Sequence, residues 1–260
     1  MNPLIKEWQI LKQAVLFFTR IPLPDTSDYC ASDIQHAIRY LPLIGGLVGL
    51  LASVVLIPIN SYFSLEVGIF LSMISTIILT GAIHEDGFAD FCDSLGGMTP
   101  EKRLHIMKDS NLGAFGVIGL LGILFGKYLF LIHIPVSHLP CVLISGHILS
   151  RYFILFLMQF LPYAGHIKTS KSLSLVQVDH ARNICIATVL TGAILLALPF
   201  YVLVSIPILI CITVLLFFYY KKSIGGYTGD YLGAAQQLTE VVHYFSIIFW
   251  LNINESIMLA

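Results

Sequence analysis

The sequence contains little charge. Of its 260 residues 11% are charged and 57% are hydrophobic, whereas about 25% of the residues of a soluble globular domain are charged. This balance excludes an ordinary soluble domain and predicts an integral membrane protein. The 14 Lys and Arg residues are matched by 15 Asp and Glu residues, so no basic field favours nucleic acid as a partner.

The sequence also lacks paired cysteines. Its five cysteines are scattered and none forms a C-x-x-C motif, which argues against a disulfide framework or a zinc site. We predict that they are small core residues. They are Cys30, Cys92, Cys141, Cys185 and Cys211.

The first twenty residues lack an uninterrupted apolar region. Lys6, Glu7, Lys12 and Arg20 interrupt the apolar positions, which argues against a cleaved signal peptide. This segment is therefore predicted to form an amphipathic helix on the membrane surface.

No internal repeat, low-complexity tract or long polar linker is present, so residues 1–260 are predicted to form a single membrane-embedded domain. Its apolar runs are long enough for transmembrane helices, which need roughly 20 residues each. The predicted fold is an all-α polytopic bundle of about seven transmembrane helices, with the N-terminal amphipathic helix and cytoplasmic interfacial segments. The predicted spans are 41–60, 65–84, 114–135, 139–161, 184–203, 205–220 and 234–256.

The Lys and Arg residues predict the orientation, because short cytoplasmic loops are enriched in them. With seven spans, every Lys and Arg outside the spans falls on one side. The N-terminus is therefore predicted to be cytoplasmic and the C-terminus external, and the long loops after residues 84, 161 and 220 emerge on the cytoplasmic side. The residues on that side are Lys6, Lys12, Arg20, Arg39, Lys102, Arg103, Lys108, Lys168, Lys171, Arg182, Lys221 and Lys222.

Acidic residues are concentrated after the second span, in HEDGFADFCD (84–93). On a helix that continues from this span, Asp86, Asp90 and Asp93 would lie at i, i+4 and i+7, on one stripe within about 60°. Repulsion among three carboxylates favours a cation, and oxygen ligands select Mg²⁺ or Mn²⁺. We predict a divalent metal site, which Glu85 joins only if the helix starts irregularly at Gly87. The alternative is a solvated acidic helix end.

A second polar cluster precedes the third span, in RLHIMKDSNLGAFG (103–116). Lys108, Asp109 and Ser110 stand before two glycines, whose bare backbone could approach a phosphate. The alternative is an ordinary amphipathic helix that ends at Gly113.

A third cluster leads into the last span, in GGYTGDYLGAAQQLTE (225–240). Its glycines leave the backbone bare around Thr228 and Asp230, and Gln237 and Glu240 follow on the adjoining helix. A tight loop before a helix N-terminus suits an anion. The alternative is a plain turn after Lys221 and Lys222.

Cations are also predicted inside the membrane. His147 and Arg151 are i, i+4 neighbours in the fourth span, and Lys127 lies in the third. Because buried cations are costly there, each is expected to face a partner or a water-filled cavity. A snorkelling side chain is the alternative for Lys127. Arg151 and Lys108 are predicted to contact the pyrophosphate of a substrate.

Metal-binding carboxylates, glycine loops and membrane-embedded cations together suit displacement at phosphorus, in which an alcohol attacks a pyrophosphate. One carboxylate of the stripe would serve as base.

The three motifs, in this order, resemble those of the adenosylcobinamide-GDP ribazoletransferases, also called cobalamin synthases. The segments RIPLP (20–24) and LPLIGGLVG (41–49) are similar as well. The resemblance implies a bacterial inner-membrane enzyme that uses Mg²⁺ to join adenosylcobinamide-GDP and α-ribazole, or its 5′-phosphate, with release of GMP. The family's acidic motif often ends in Asp-Gly, whereas Ser94 follows Asp93 here.

We therefore predict a multi-pass inner-membrane protein with its active site on the cytoplasmic side. Its predicted partners are the two substrates and the lipid bilayer, without nucleic acid; a second copy of the chain and other corrinoid-assembly enzymes are the candidate protein partners. The predicted catalytic residues are His84, Asp93 and Asp230. The predicted metal ligands are Glu85, Asp86, Asp90 and Asp93. The predicted substrate-binding residues are Lys108, Asp109, Ser110, Arg151, Thr228, Gln237 and Glu240.

Two alternatives stay open. A CDP-alcohol phosphotransferase also has spaced aspartates at a membrane face, but its DxxDG, Ala-Arg and GxxxDxxxD pattern is not matched by this sequence. An ion-coupled transporter would use the acidic stripe for its coupling ion and would favour mid-membrane polar groups and an internal repeat.

Overall fold

The computed structural model describes residues 3–24, 35–165 and 181–258. Ten α-helices and two short 3₁₀ turns, Ile38–Tyr40 and Phe200–Ser205, form in these residues, and no strand does. The predicted all-α fold is confirmed. The helices are α1 (Pro3–Phe18), α2 (Leu41–Tyr62), α3 (Leu65–Thr80), α4 (Ile83–Ser94), α5 (Pro100–Ile106), α6 (Ala114–Ile132), α7 (Leu139–Phe160), α8 (Ala181–Leu196), α9 (Ile206–Ile224) and α10 (Gly229–Met258).

Four helical segments in the described residues are long and apolar enough to cross a membrane, and the bent pair α3–α4 would make a fifth. The four are Gln35–Tyr62, α6, α7 and Phe200–Ile224. The chain is thus a multi-pass membrane protein.

The predicted number of seven spans is not confirmed by helix length and apolarity. The run predicted at 184–203 overlaps α8, which begins at Ala181, ends at Leu196 and has only 16 residues. The run predicted at 234–256 lies in α10, whose buried face carries Gln236, Gln237, Glu240 and His243. These side chains contact other helices of the bundle. They make α10 less apolar, although its 30 residues are long enough to cross a membrane.

The sequence analysis considered the acidic stretch on a helix that continues from the second span. In the structure it lies on a separate helix. Gly81 (φ 67°) and Ala82 (φ 58°) adopt the left-handed conformation, and α4 leaves α3 at 90°. Glycine tolerates this conformation, whereas a residue with a Cβ atom pays on the order of 1–3 kcal/mol. The break lets α4 start afresh at Ile83, roughly perpendicular to the helix before it.

Small residues allow α2 and α7 to pack closely. A Cβ atom at Gly49 would lie 2.5 Å from the Ile144 Cα atom, so the two backbones are in direct contact, as in other membrane helix pairs. The N-terminal helix α1 is tied to the start of α2 by Glu7, which accepts hydrogen bonds from Arg39 at 2.9 Å and Tyr40 at 2.8 Å.

The outward face of α1 is apolar, with Leu4 78% and Trp8 58% exposed. This suits the predicted position on the membrane surface.

Only some of the cysteines have the predicted core position. Cys92 is buried, but Cys185 and Cys211 are exposed, because they lie on the outer faces of α8 and α9. Cys30 lies outside the described residues.

Candidate functional site

The acidic motif and the third motif meet where α4 crosses α10. A Cβ atom at Gly87 would lie 2.9 Å from the Asp230 Cα atom, and one at Gly233 would lie 3.2 Å from the His84 carbonyl oxygen. The two glycines therefore let the helix backbones touch. This crossing brings Asp230 to the stripe formed by Asp86 and Asp90.

The carboxylates at this crossing repel one another. Burial, followed by repulsion from Asp230, Asp86 and Asp93, raises the pKa of Asp90 to about 7. Burial and repulsion from Asp86 raise the pKa of Asp230 to about 6. Both residues lie outside the predicted spans. A cation or a proton is needed to stabilise such a cluster at neutral pH.

Asp93 has a different environment from the other two carboxylates of the stripe. It accepts hydrogen bonds from the backbone N–H groups of Gly113 and Gly116, both at 2.8 Å. These groups lie at the N-terminus of α6, where N–H groups otherwise lack partners and negative charge is favoured. A Cβ atom at either glycine would collide with the carboxylate. The glycines of the second motif thus bind a carboxylate of the protein itself, and the predicted metal and catalytic roles of Asp93 stay predictions.

Glu85 lies on another side of α4 and is not brought to the stripe. Its Oε1 atom accepts a hydrogen bond from Gln237 Nε2 at 3.0 Å, and its Oε2 atom is buried without a partner in the described residues. Gln237 Nε2 also donates to Gln236 Oε1 at 2.9 Å. The structure therefore joins Glu85 and Gln237 to a buried polar network, and their metal-binding and substrate-binding roles stay predictions.

The centre of that network is Glu240. Lys127 Nζ lies 2.7 Å from Glu240 Oε1, and His147 Nδ1 lies 3.2 Å from Glu240 Oε2. Gln236 donates to Oε2 at 2.6 Å and Tyr244 donates to Oε1 at 3.2 Å. The expectation that Lys127 faces a partner is confirmed, and that partner is a carboxylate inside the bundle.

Arg151 belongs to the same network. It is 2% exposed, and its Nη1 atom donates to the His147 carbonyl oxygen at 3.2 Å. Its Nε atom is buried without a partner in the described residues. The contact of Arg151 with a substrate pyrophosphate, like substrate binding by Glu240, stays a prediction.

Lys108, Asp109 and Ser110 are exposed in the loop between α5 and α6. Asp109 Oδ1 accepts hydrogen bonds from the Asn111 backbone N–H at 3.1 Å and from its side-chain amide at 2.7 Å. This local turn holds the loop, and its predicted contact with phosphate stays a prediction.

The glycine loop before α10 is fixed by local contacts. Gly225 ends α9 in the left-handed conformation, and the Tyr227 backbone pairs with the segment after α7. Thr228 is buried and accepts a hydrogen bond from the Tyr231 N–H at 3.3 Å, which caps α10. Thr228 thus supports the helix that carries Asp230, and its contact with substrate stays a prediction.

A cavity of about 210 Å³ adjoins the acidic crossing. His84, Asp86 and Asp230 line it, together with aromatic and aliphatic side chains of α1, α7 and the loops. His84 is 7% exposed, and its Nε2 atom has no hydrogen-bond partner among the described residues. The sequence analysis missed the apolar side chains that line this cavity, because Phe17 and Phe18 of α1 follow a pattern that is typical of membrane-facing residues.

The crossing offers donors of the kind that Mg²⁺ prefers. No three His, Cys, Asp or Glu side chains in the described ranges are arranged around a single point. Mg²⁺, however, is usually bound by one or two carboxylates, with waters and substrate phosphates as the other ligands. Two of the three carboxylates Asp86, Asp90 and Asp230 would be enough for that mode of binding.

The comparisons with known proteins agree with one another, and each match covers most of the chain. The family model described as Cobalamin-5-phosphate synthase matches residues 10–248. The adenosylcobinamide-GDP ribazoletransferase of Vibrio cholerae is 36% identical over 242 residues, covering 92% of this chain and 93% of that protein. The enzyme of the same name from Shewanella amazonensis is 36% identical over 255 residues, covering 95% and 98%. No solved structure matches this chain.

Proposed function

We infer the function from the family to which the chain belongs, the cobalamin-5-phosphate synthases. The protein is a membrane transferase that joins adenosylcobinamide-GDP and α-ribazole, or its 5′-phosphate, in the assembly of the nucleotide loop of cobalamin. GMP is the other product. We infer the position of the active site from one observation: Asp86, Asp90 and Asp230 meet at the crossing of α4 and α10.

The transfer is a displacement at phosphorus. The hydroxyl oxygen of α-ribazole forms a bond to the phosphorus that carries the corrinoid, and the bond from that phosphorus to the GMP oxygen breaks. The hydroxyl proton passes to a carboxylate of the site.

Two of the three carboxylates Asp86, Asp90 and Asp230 would hold Mg²⁺, with phosphate oxygens of the substrate completing its ligands. The third would be free to take the proton of the hydroxyl group. When bound, Mg²⁺ would neutralise charge on the phosphoryl oxygens and on the leaving GMP. Asp86 and Asp230 stand on different helices, so a single conformation of the α4–α10 crossing would orient the pyrophosphate from two directions.

The position in the cell belongs to the same proposal. The family resemblance implies the bacterial inner membrane, and the distribution of Lys and Arg supports a cytoplasmic N-terminus and a cytoplasmic active site. The carboxylates follow the end of α3, close to the positively charged loops of the predicted cytoplasmic side.

A transporter would also use mid-membrane polar groups, and the network around Glu240 is such a group. Its charges are paired with one another, however, and the relatives that match nearly the whole chain are transferases by name. Transferase activity is therefore the better supported function.

Purified protein supplied with adenosylcobinamide-GDP and α-ribazole tests this function through the release of GMP and the formation of the joined corrinoid. Asp90→Asn and Asp230→Asn should each lower kcat by about a hundredfold or more. Glu101→Gln is the control, because Glu101 is an exposed carboxylate at the start of α5. Wild-type rates in both aspartate variants would place the active site elsewhere, and a wild-type protein without GMP release would contradict the function.

A further inference from the structure

We propose that the 210 Å³ cavity binds the aromatic base of α-ribazole and holds its ribose against the carboxylates of α4 and α10. We call it the acceptor cavity. The proposal rests on the transferase function above and adds the surface that selects the lower-ligand base of the product.

The acceptor cavity is polar at one part of its surface and apolar elsewhere. Its charged or ionisable lining near the helix crossing is His84, Asp86 and Asp230, and Tyr163 and Tyr227 add hydroxyl groups. Its apolar lining includes Phe18 of α1 and Ile154 of α7. A nucleoside with an apolar base has the same division, because its base avoids water while its ribose carries hydroxyl groups.

The size of the cavity indicates which part of a substrate enters it. Pockets for drug-sized ligands are roughly 300–1,000 Å³, whereas this one is about 210 Å³. It cannot hold a corrinoid ring, but it suits one fused-ring base. Phe17 and Phe18 on one helix, and Tyr163 and Tyr227 on the adjoining loops, form two edge-to-face ring pairs with centroids 4.8 Å and 5.6 Å apart. Such rings favour a flat aromatic ligand.

Guanine is a poorer occupant of the same space. Its amide and amino groups would need several hydrogen-bond partners, and burial without them costs a few kcal/mol for each group. The apolar lining contributed by Leu41, Ile154 and Met158 has no side-chain donors or acceptors for them. The acceptor base therefore fits the apolar part of the cavity better than the base of the leaving nucleotide does.

His84 gives an independent indication that a polar ligand enters. It is 7% exposed, and its Nε2 atom has no partner in the described part of the chain. A buried polar atom of this kind usually has a hydrogen-bond partner in the working state. A ribose hydroxyl of α-ribazole, held between His84 and the carboxylates, supplies that partner and stands beside the phosphorus that it attacks.

Steady-state kinetics of a variant with a narrower cavity test the assignment. Ile154→Phe should raise the KM for α-ribazole by about tenfold or more, with little change in the KM for adenosylcobinamide-GDP. Ile210→Phe is the matched control, because Ile210 is 50% exposed and lines a separate apolar cavity between α7, α8 and α9. An unchanged KM for α-ribazole in Ile154→Phe, or a rise in the KM for adenosylcobinamide-GDP alone, would overturn the proposal.

A widened cavity gives the opposite test. Met158→Ala should improve kcat/KM for the riboside of the larger base naphthimidazole relative to α-ribazole. Met73→Ala is the control, because Met73 does not line the acceptor cavity. The same shift in preference in both variants would contradict selection by this cavity.

Direct binding separates this proposal from the transferase function. Titration of α-ribazole into the protein in the presence of EDTA should show binding to wild type, weaker binding to His84→Phe and Ile154→Phe, and partial recovery in His84→Gln. If wild type releases no GMP but shows this binding order, the function is wrong and the acceptor cavity stands. If GMP is released while wild type and both variants bind α-ribazole equally, the cavity is wrong and the function stands.

Discussion

At the scale of single residues, the acidic side chains of α4 have distinct partners although only eight positions separate the first, Glu85, from the last, Asp93. Glu85 accepts a hydrogen bond from Gln237, and Asp93 accepts two from the backbone of α6. Asp90 lies between them in the sequence, and burial and its acidic neighbours raise its pKa to about 7. Among these three, Asp90 is the carboxylate best suited to exchange a proton or bind a cation.

The raised pKa of Asp90 predicts how its removal affects stability. A carboxyl group with a folded-state pKa above the ordinary value of 3.8 destabilises the fold progressively as pH rises between the two values. Asp90→Asn should therefore raise the Tm of protein in detergent with EDTA by more at pH 8 than at pH 5. Each kcal/mol regained corresponds to roughly 2–4 °C for a protein of this size.

Glu101→Gln serves as the control for this measurement, since its carboxylate is exposed and not part of the acidic cluster. An equal effect of Asp90→Asn on the Tm at both pH values would show that the charge of Asp90 does not oppose folding.

At the scale of helices, the site depends on two features of α4. The left-handed residues Gly81 and Ala82 turn it away from α3, and Gly87 lets it touch α10 beside Asp230. The first feature sets the direction of the acidic stripe, and the second sets its distance from the third motif. Neither feature requires a charged residue, yet both decide which charged residues meet.

The contact at Gly87 predicts a sharp difference between two glycines. Gly87→Ala places a Cβ atom 2.9 Å from the Asp230 Cα atom, so α4 and α10 must move apart and kcat should fall. Gly122→Ala places its Cβ atom where no described atom of another helix lies within 4 Å, and should be neutral or stabilise α6 by about 0.5–1 kcal/mol. The kcat and Tm of both purified variants measure this. Equal kcat values would show that the close crossing is not needed for the reaction.

At the scale of the whole molecule, α6, α7 and α10 are joined through buried charges. Glu240 pairs with Lys127 and His147, and these contacts satisfy polar groups that are buried inside the bundle. The same contacts keep α10, the most polar of the long helices, in the middle of the bundle.

This pairing predicts a non-additive effect of substitution. Glu240→Gln leaves Lys127 buried without its counter-charge and should cost roughly 3–5 kcal/mol of stability. Lys127→Met combined with Glu240→Gln should recover part of that loss, because no unpaired lysine then remains. Thermal unfolding of the two single variants and the double variant measures the coupling. Additive losses would show that the two side chains do not stabilise each other.

The orientation of the whole chain is a separate prediction. In a variant without native cysteines, Tyr62→Cys should react with an impermeant maleimide added outside intact cells, and Met98→Cys should react only after the membrane is opened. These positions are 84% and 94% exposed, so the reagent can reach both side chains. Labelling of Met98→Cys in intact cells would reverse the predicted sidedness.

The sequence by itself determined the features that are local or compositional. Low charge and long apolar runs determined a helical membrane protein, and the order of three motifs indicated the family. The spacing of Asp86, Asp90 and Asp93 placed them on one helix, which α4 confirms. These inferences succeed because hydrophobicity and helical period are properties of neighbouring residues.

Only the tertiary structure decided which distant groups meet. Glu85 and Gln237 are 152 positions apart, and nothing near either residue indicates that they share a hydrogen bond. The cap that Asp93 provides for α6, the partner of Lys127 and the apolar wall of the acceptor cavity are likewise set by helix packing. The polar face of α10 is a further case: its side chains are satisfied by other helices, and that satisfaction arises only when the bundle is assembled.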